Sequence, residues 1–413
     1  MPLPSRGRPA DEVLAELRAM SDLDVRWKEG RVFSLAYSAG PEVHALAAEA
    51  LGMYATENGL NTAAFPSLRR MQDDVVGIVS GWVRAPEGAA GVLTTGGTES
   101  LLMAVKAARE FGRRTRDERA PNIVMPTSAH AAFEKGCHYF GVESRRVPVG
   151  PDWRADVDAM AAAIDEHTVM LVASAPQYPQ GVIDPVAEIA DLAARHSLNC
   201  HVDACMGGVT LPYLERLGHP VPVWDFRNEG VTSISVDLHK YGYSAKGASV
   251  IVHRDRRRRA DHAFVTENWL GGLYGSPAVL GTKSGGPWAA AWAVMHHLGD
   301  DGYLRLARTA REATEQLVAA IRSIPGLVLR AEPDTTLVAF GTVDGLDAFA
   351  VADALAEKGW YVDRQGPPAS LHCTVNAVHE HRIGEFAHDL REAVDAVGMT
   401  DARGEATAYG TVE

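Results

Sequence analysis

Up to residue 300 the apolar pattern switches repeatedly between helical and strand periods, and this alternation constrains the fold more than any other feature. Helical spacing covers residues 41–55, 66–83, 98–114, 129–140, 155–164, 185–196 and 286–297. Strand-like runs fall between the helices at 122–125, 144–147, 169–173, 199–202, 233–236 and 248–252. That order predicts an α/β fold with a mainly parallel sheet. The character changes after Gly302: helix 303–323, strands 327–330 and 336–340, helix 346–358, strands near 361 and at 372–375, then helix 380–397. We therefore expect an N-terminal segment 1–60, a large domain 61–300 and a smaller α+β domain 301–413, within the two to three domains that 413 residues allow.

Three segments carry chemistry. Ser233-Ile-Ser-Val-Asp-Leu-His-Lys-Tyr-Gly-Tyr-Ser-Ala-Lys-Gly247 is a strand that delivers His239 and Lys240 into a loop punctuated by glycine and tyrosine. A lysine held there can be a Schiff-base nucleophile. Upstream, His201-Val-Asp-Ala-Cys-Met-Gly-Gly208 is a short apolar strand ending on an acid. A carboxylate at a pyridine nitrogen and a lysine at the aldehyde are how proteins hold pyridoxal phosphate (PLP); Ala204 would leave room for the ring. Thr94-Thr-Gly-Gly-Thr-Glu-Ser100 opens a helix, where Gly96 and Gly97 admit an anion and the N–H groups of Thr98, Glu99 and Ser100 face it. Alone, that segment reads equally as an N-capped helix after a tight turn. With Asp203 and Lys240 following in order, a cofactor phosphate is favoured. Asp203 alone could be a strand-end cap, and Lys240 or Lys246 a surface lysine.

These segments, together with Phe65-Pro-Ser-Leu-Arg69, Ser128-Ala-His-Ala-Ala-Phe133, Gly181-Val-Ile-Asp-Pro185, Trp269-Leu-Gly-Gly-Leu-Tyr274 and Ala408-Tyr-Gly410, resemble the sphingosine-1-phosphate lyases. That family is a branch of the fold-type I PLP enzymes, which also contain the group II decarboxylases. The resemblance runs from about Tyr37 to the C-terminus and implies a seven-stranded, mostly parallel large-domain sheet. It puts the cofactor linkage on Lys240 and makes Lys246 a second active-site lysine near substrate. It lays His130 on the cofactor's other face and gives His201 and His239 a part in positioning the cofactor. It also implies substrate-side roles for Tyr37 and Tyr409, and a homodimer with shared active sites to which Gly281 and Thr282 contribute across the interface. Eukaryotic members carry an N-terminal membrane span; the lack of one here points to a bacterial-type soluble protein.

Composition excludes other classes. The net charge of −13 argues against a nucleic-acid partner, and Arg256-Arg-Arg-Arg259, flanked by Asp255 and Asp261, reads as a solvated helix start. Nowhere do 18 apolar residues run together, so no membrane span is expected. Cys137, Cys200, Cys205 and Cys373 form no CxxC pair, which fits a reducing, cytoplasmic setting.

Two departures from the family bear on the substrate. Asn58-Gly-Leu-Asn61 places a neutral amide, Asn61, where the family has a histidine associated with substrate phosphate. Gly281-Thr-Lys-Ser-Gly285 has Lys283 where an arginine is usual, keeping the charge but losing the bidentate fork. The favoured reading is a PLP-dependent carbon–carbon lyase acting on a phosphorylated 2-amino-3-hydroxy compound and releasing an aldehyde and phosphoethanolamine. The alternatives are a PLP-dependent amino-acid decarboxylase or aldolase of specialised metabolism, and a non-enzymatic scaffold, which the Asp203 and Lys240 pair argues against.

Overall fold

The structure, a computed structural model, describes residues 3–399 and 402–406, so Tyr409 lies outside the described residues. Twelve helices are present among them: α1 Ala10–Ser21, α2 Pro41–Met53, α3 Pro66–Trp82, α4 Gly97–Arg116, α5 Ala132–Phe140, α6 Val157–Ala162, α7 Val186–Arg195, α8 Thr210–Arg216, α9 Arg256–His262, α10 Gly286–Ser323, α11 Ala348–Glu357 and α12 Ile383–Gly398. None is long and apolar enough to cross a membrane. The strands of the main sheet are β1 Ala90–Thr94, β2 Asn122–Pro126, β3 Glu143–Val147, β4 Thr168–Ser174, β5 Asn199–Asp203, β6 Ser233–Asp237 and β7 Ser249–His253. A hairpin, β8 Phe264–Thr266 and β9 Tyr274–Ser276, follows; a second sheet holds β10 Leu327–Leu329, β11 Leu337–Thr342, β12 Asp363–Gln365 and β13 Ser370–Thr374.

The main sheet has the order β1-β7-β6-β5-β4-β2-β3. Strands β2 to β6 pair in parallel, while β7 runs antiparallel between β1 and β6. This is the mostly parallel seven-stranded sheet expected. Its central strands are buried on both faces, which is why they read as continuous apolar runs rather than alternating ones. Register does the positioning: Ser174 of β4 pairs with Asp203 of β5, and Asp203 with Ser235 of β6. The carboxyl ends of three neighbouring strands therefore stop at one edge. α4 runs back along the sheet with Leu101, Leu102, Val105 and Ala108 buried, and its N-terminus returns to that same edge.

The expected break at 299–302 is a kink inside α10, where Gly299 takes φ 60° and ψ −175°. A non-glycine residue pays steric energy at that φ, so the glycine marks where the helix changes direction. Beyond it, β10-β11-β13-β12 form an antiparallel sheet with its own buried cluster. Phe33, from the N-terminal segment, inserts there against Phe386, with ring centroids 4.5 Å apart. Its backbone bonds Tyr361 and Thr374 on either side. Thus residues ahead of the large domain complete the core behind it.

The sequence reading did not identify α1, α8 or the β8–β9 hairpin. Val13, Leu14, Leu17 and Met20 give α1 an apolar side, yet all are exposed, so nothing among the described residues covers it. The arginine run forms α9, with Asp255 as its cap accepting from Arg258 N–H.

Five buried histidines link this fold to pH. Burial is the main cause that pushes His201, His372 and His379 down to about 4 and His253 to about 3; burial and then the neighbouring His253 hold His262 well below the ordinary histidine value. His253 Nε2 lies 3.1 Å from His262 Nδ1, and His262 Nε2 lies 2.7 Å from the Pro277 carbonyl, fastening the hairpin to β7. Because the folded values are lowered, the unfolded chain binds more protons below about 6.5. Stability is therefore full above that pH and lost as pH falls. Each such histidine steepens the loss by up to about 1.4 kcal/mol per pH unit. Urea denaturation between pH 7 and 5 should show an unfolding free energy that falls with pH, and His253→Gln should flatten the slope. A flat parent profile would contradict this account.

Candidate active site

At the carboxyl edge of β4, β5 and β6, facing the N-terminus of α4, lies a cavity of about 550 Å³. Clefts at strand ends are where open α/β sheets bind ligands. Gly96, Gly97, Thr98, Glu99, His130, Asp203, His239, Lys240 and Lys246 all line it. Nine positions singled out by sequence, spread over 150 residues and four stretches of chain, thus meet in one space.

The first intrahelical bond of α4 runs from Ser100 N–H to the Gly96 carbonyl at 3.1 Å. That bond removes Ser100 from the expected donor set and leaves the N–H groups of Gly97, Thr98 and Glu99 ahead of it at the positive end of the helix. The Glu99 side chain does something the sequence did not reveal. Its Oε2 accepts from Thr95 N–H at 2.7 Å, and its Oε1 accepts from the N–H groups of Val279 and Leu280 at 2.8 and 3.2 Å. It ties the turn before α4 to the segment after the hairpin. Gly97 is required by close approach: a Cβ there would lie 2.6 Å from Asp237 Oδ2.

Asp203 sits at the end of β5, with Oδ1 accepting from Cys205 N–H at 3.1 Å. His130 accepts from Ala132 N–H through Nδ1 at 3.1 Å, which places a proton on Nε2 when the ring is neutral. Burial lowers its pKa against the opposing pull of Asp203. His239 donates from Nδ1 to the Ala248 carbonyl at 2.9 Å, and burial lowers its pKa too.

Lys240 Nζ lies 3.1 Å from Asp237 Oδ2. Asp237 lines the cavity and was missed by sequence reasoning, although its signal was visible: Ser233, Ser235 and Asp237 share one face of β6, and Asp237 ends it three residues before the lysine. Lys246 donates to the carbonyls of Leu35 at 2.7 Å and His239 at 3.3 Å. Burial, and then the neighbouring charge of Lys240, lower it to about 8. Ser174, Tyr178, Cys205 and Met206 also line the cavity unforeseen. The Ser174 hydroxyl is buried with no hydrogen-bond partner among the described residues.

Other candidates lie elsewhere. Tyr37 lines an adjoining apolar chamber of about 480 Å³ that shares His239 and Lys246 with the first; Lys246 Nζ stands 5.1 Å over its ring. His201 is fully buried behind the cavity, with ring nitrogens 2.8 Å from the Ser233 and 3.3 Å from the Ser235 hydroxyls. It shares Ser235 with Asp203 but does not line the space, and neither does Ala204, which is buried in the core. Asn61 accepts from Ala63 N–H and closes its own turn. With Gly281 and Thr282 it lies outside both chambers. Asn58 donates to Thr282 Oγ1 at 3.3 Å and Gly59 N–H to the Lys283 carbonyl at 2.8 Å, so the two departures from the family form one surface. Lys283 itself is buried against Trp288.

PLP fits what is present. Helix N–H groups and a glycine that keeps the approach open suit its phosphate, Asp203 suits a protonated ring nitrogen, and Lys240 suits the aldehyde.

Comparison with known proteins agrees. Residues 3–343 match the family described as the pyridoxal-dependent decarboxylase conserved domain. The chain is 38% identical to sphingosine-1-phosphate lyase of Dictyostelium discoideum, over 99% of this chain and 78% of that protein. It is 37% identical to sphingosine-1-phosphate lyase 1 of Rattus norvegicus, over 99% and 72%. The solved sphingosine-1-phosphate lyase of Burkholderia pseudomallei superposes with a TM-score of 0.91 at 38% identity, covering 96% of this chain and 92% of that one. An edge of parallel strands that gathers an acid, a lysine and a helix N-terminus, in a chain this similar to these proteins over nearly its whole length, belongs to the sphingosine-1-phosphate lyase family of PLP-dependent enzymes.

Proposed function

We propose that this PLP-dependent lyase cleaves the Cα–Cβ bond of a phosphorylated 2-amino-3-hydroxy compound, releasing an aldehyde and phosphoethanolamine. The observation that carries the reading is the second lysine: Lys246 lines the same cavity as Lys240, with its Nζ on the His239 carbonyl, and is held near neutrality on the pH scale. One amine is placed for the cofactor and another for the substrate.

In this reading the N–H groups of Gly97, Thr98 and Glu99 hold the cofactor phosphate, and Asp203 keeps the ring nitrogen protonated. His130 packs on the ring, and His239, fixed by the Ala248 carbonyl, supports the phosphate side. Bound PLP supplies an electron sink for the pair left at Cα when the bond breaks. The residues supply the rest. Lys246, with a value of about 8, exists in both protonation states near neutral pH: charged it attracts a substrate phosphate, neutral it can take the β-hydroxyl proton. Tyr37 positions Lys246 through its ring, and Tyr409 is assigned beside substrate from its family match alone. The aldehyde would leave as the bond breaks, and the proton that Lys246 took from the hydroxyl would then be at hand for Cα.

A homodimer with shared sites belongs to the same reading. Asn61, Gly281 and Thr282 gather on a surface away from their own cavity, while Trp269, Leu270 and Leu273 in the hairpin connection are exposed. Delivering that surface to a second copy's cavity would cover the apolar residues and bring substrate contacts together. A cytoplasmic location is proposed on the buried, unpaired cysteines.

Borohydride reduction of the PLP-loaded protein should fix the cofactor on the peptide that contains Lys240, and Lys240→Ala should abolish the linkage. Label on Lys246 would reverse the assignment. Mass spectrometry of products from phosphorylated amino alcohols should reveal an aldehyde; carbon dioxide released from amino acids instead would favour a decarboxylase. Lys246→Ala should lower kcat/KM for both substrates, and by roughly ten- to a hundredfold more for the phosphorylated one than for its unphosphorylated analogue, the value of one charge-assisted contact. Equal losses on both would remove Lys246 from phosphate recognition.

A further inference from the structure

Lys240 is not free to react as it stands. Its Nζ is paired with Asp237 Oδ2 at 3.1 Å, and Asp237 is almost completely buried at the end of β6, where the Ser249 hydroxyl donates to its Oδ1. The same carboxylate fills the space above Gly97, against the helix N-terminus assigned to the cofactor phosphate. It therefore stands between the two groups that cofactor must reach.

We propose that Asp237 is a positioning residue that gates cofactor capture: it holds Lys240 as a paired ammonium until cofactor arrives and pairs with it again whenever substrate frees the lysine. The inference rests on the reading of Lys240 as the cofactor lysine. To react, Lys240 must first release one proton, to Asp237 or to solvent at the cavity mouth. Its neutral nitrogen then forms a C=N bond to the aldehyde carbon, and the aldehyde oxygen leaves as water. When an amine substrate exchanges for the lysine, the released Lys240 takes up a proton and returns to Asp237. This keeps it at the edge of the cavity and slows its return to the cofactor.

The other groups around Lys240 act on the same equilibrium. Burial alone would lower its pKa, but Asp237 first, then Cys205, Tyr37 and Asp203, hold it above the ordinary lysine value. Lys246, His130 and His239 also face it. Asp237 is held below the ordinary aspartate value despite its burial, with Lys240 the leading opposing cause and His239 and Ser249 adding to it. The two partners agree in direction.

Rapid mixing of cofactor-free protein with PLP, followed by visible absorbance and tryptophan fluorescence, tests the gate without turnover. In the parent, the capture rate should rise about tenfold per pH unit from pH 6.5 to 9, as the paired ammonium gives up its proton. In Asp237→Asn the amine loses its counter-ion, so capture at pH 7 should be faster by roughly tenfold or more with a shallower pH dependence, while kcat falls more than KM rises. A residue that only supported the fold would slow capture when replaced. Slower or unchanged capture by a folded Asp237→Asn protein would overturn the proposal, as would a parent rate that levels off below pH 8, a result that needs no variant. If reduction labels a lysine other than Lys240, the reading beneath the proposal fails; if it labels Lys240 and capture ignores Asp237, the gate alone fails.

Discussion

The ion pair between Lys240 and Asp237 organises the site around it. Buried pairs seldom add net stability, because desolvating both charges offsets their attraction, and removing one partner leaves the other stranded. A fold keeps such a pair when the position of a charge matters more than its energy. Here the pair sets where the lysine points, why residue 97 has no side chain, and how far the α4 N-terminus stands from the strand ends. The parallel register does the rest, since it sets Ser174, Asp203 and Ser235 level on β4, β5 and β6 and leaves Asp237 two residues further on at the same edge, without any loop having to search for them.

Most of this was legible in sequence because it depends on order along the chain. Alternating strand and helix periods specify a parallel sheet, whose strand ends are sites by topology. Lys240, Asp203 and the Gly96–Gly97 turn therefore met as expected. Residues next to a motif fared differently. His201 shares a strand face with Asp203 yet lies one pleat deeper, bonded to Ser233 and Ser235; Ala204 follows the acid but turns into the core. A linear motif does not record depth. Asp237 escaped notice for the converse reason, because inside a strand pattern an acid reads as punctuation until its distance to the lysine is known.

Asn61, Gly281 and Thr282 mark another limit. The family resemblance makes them substrate or interface residues, and the fold gathers them together but outside their own cavity. α1 and the hairpin connection both carry exposed apolar side chains and escape a sequence reading because no element among the described residues covers them. Periodicity detects a helix through the face it buries, and these faces bury nothing here. The adjoining chamber beside Tyr37 was equally unforeseeable, since it is bounded by the N-terminal segment and α2 and meets the main cavity at Lys246 and His239. Lys246 consequently stands between a polar space and an apolar one, which accounts for a lysine whose charge is easily lost.

The edge formed by β5, β6 and the α4 N-terminus is our proposed seat for PLP. A crystal structure of the PLP-loaded protein should show electron density continuous with Lys240 Nζ, the ring nitrogen hydrogen-bonded to Asp203, His130 against the ring face, and phosphate oxygens on the N–H groups of Gly97 to Glu99. Density joined to Lys246, or a phosphate bound away from the start of α4, would contradict it.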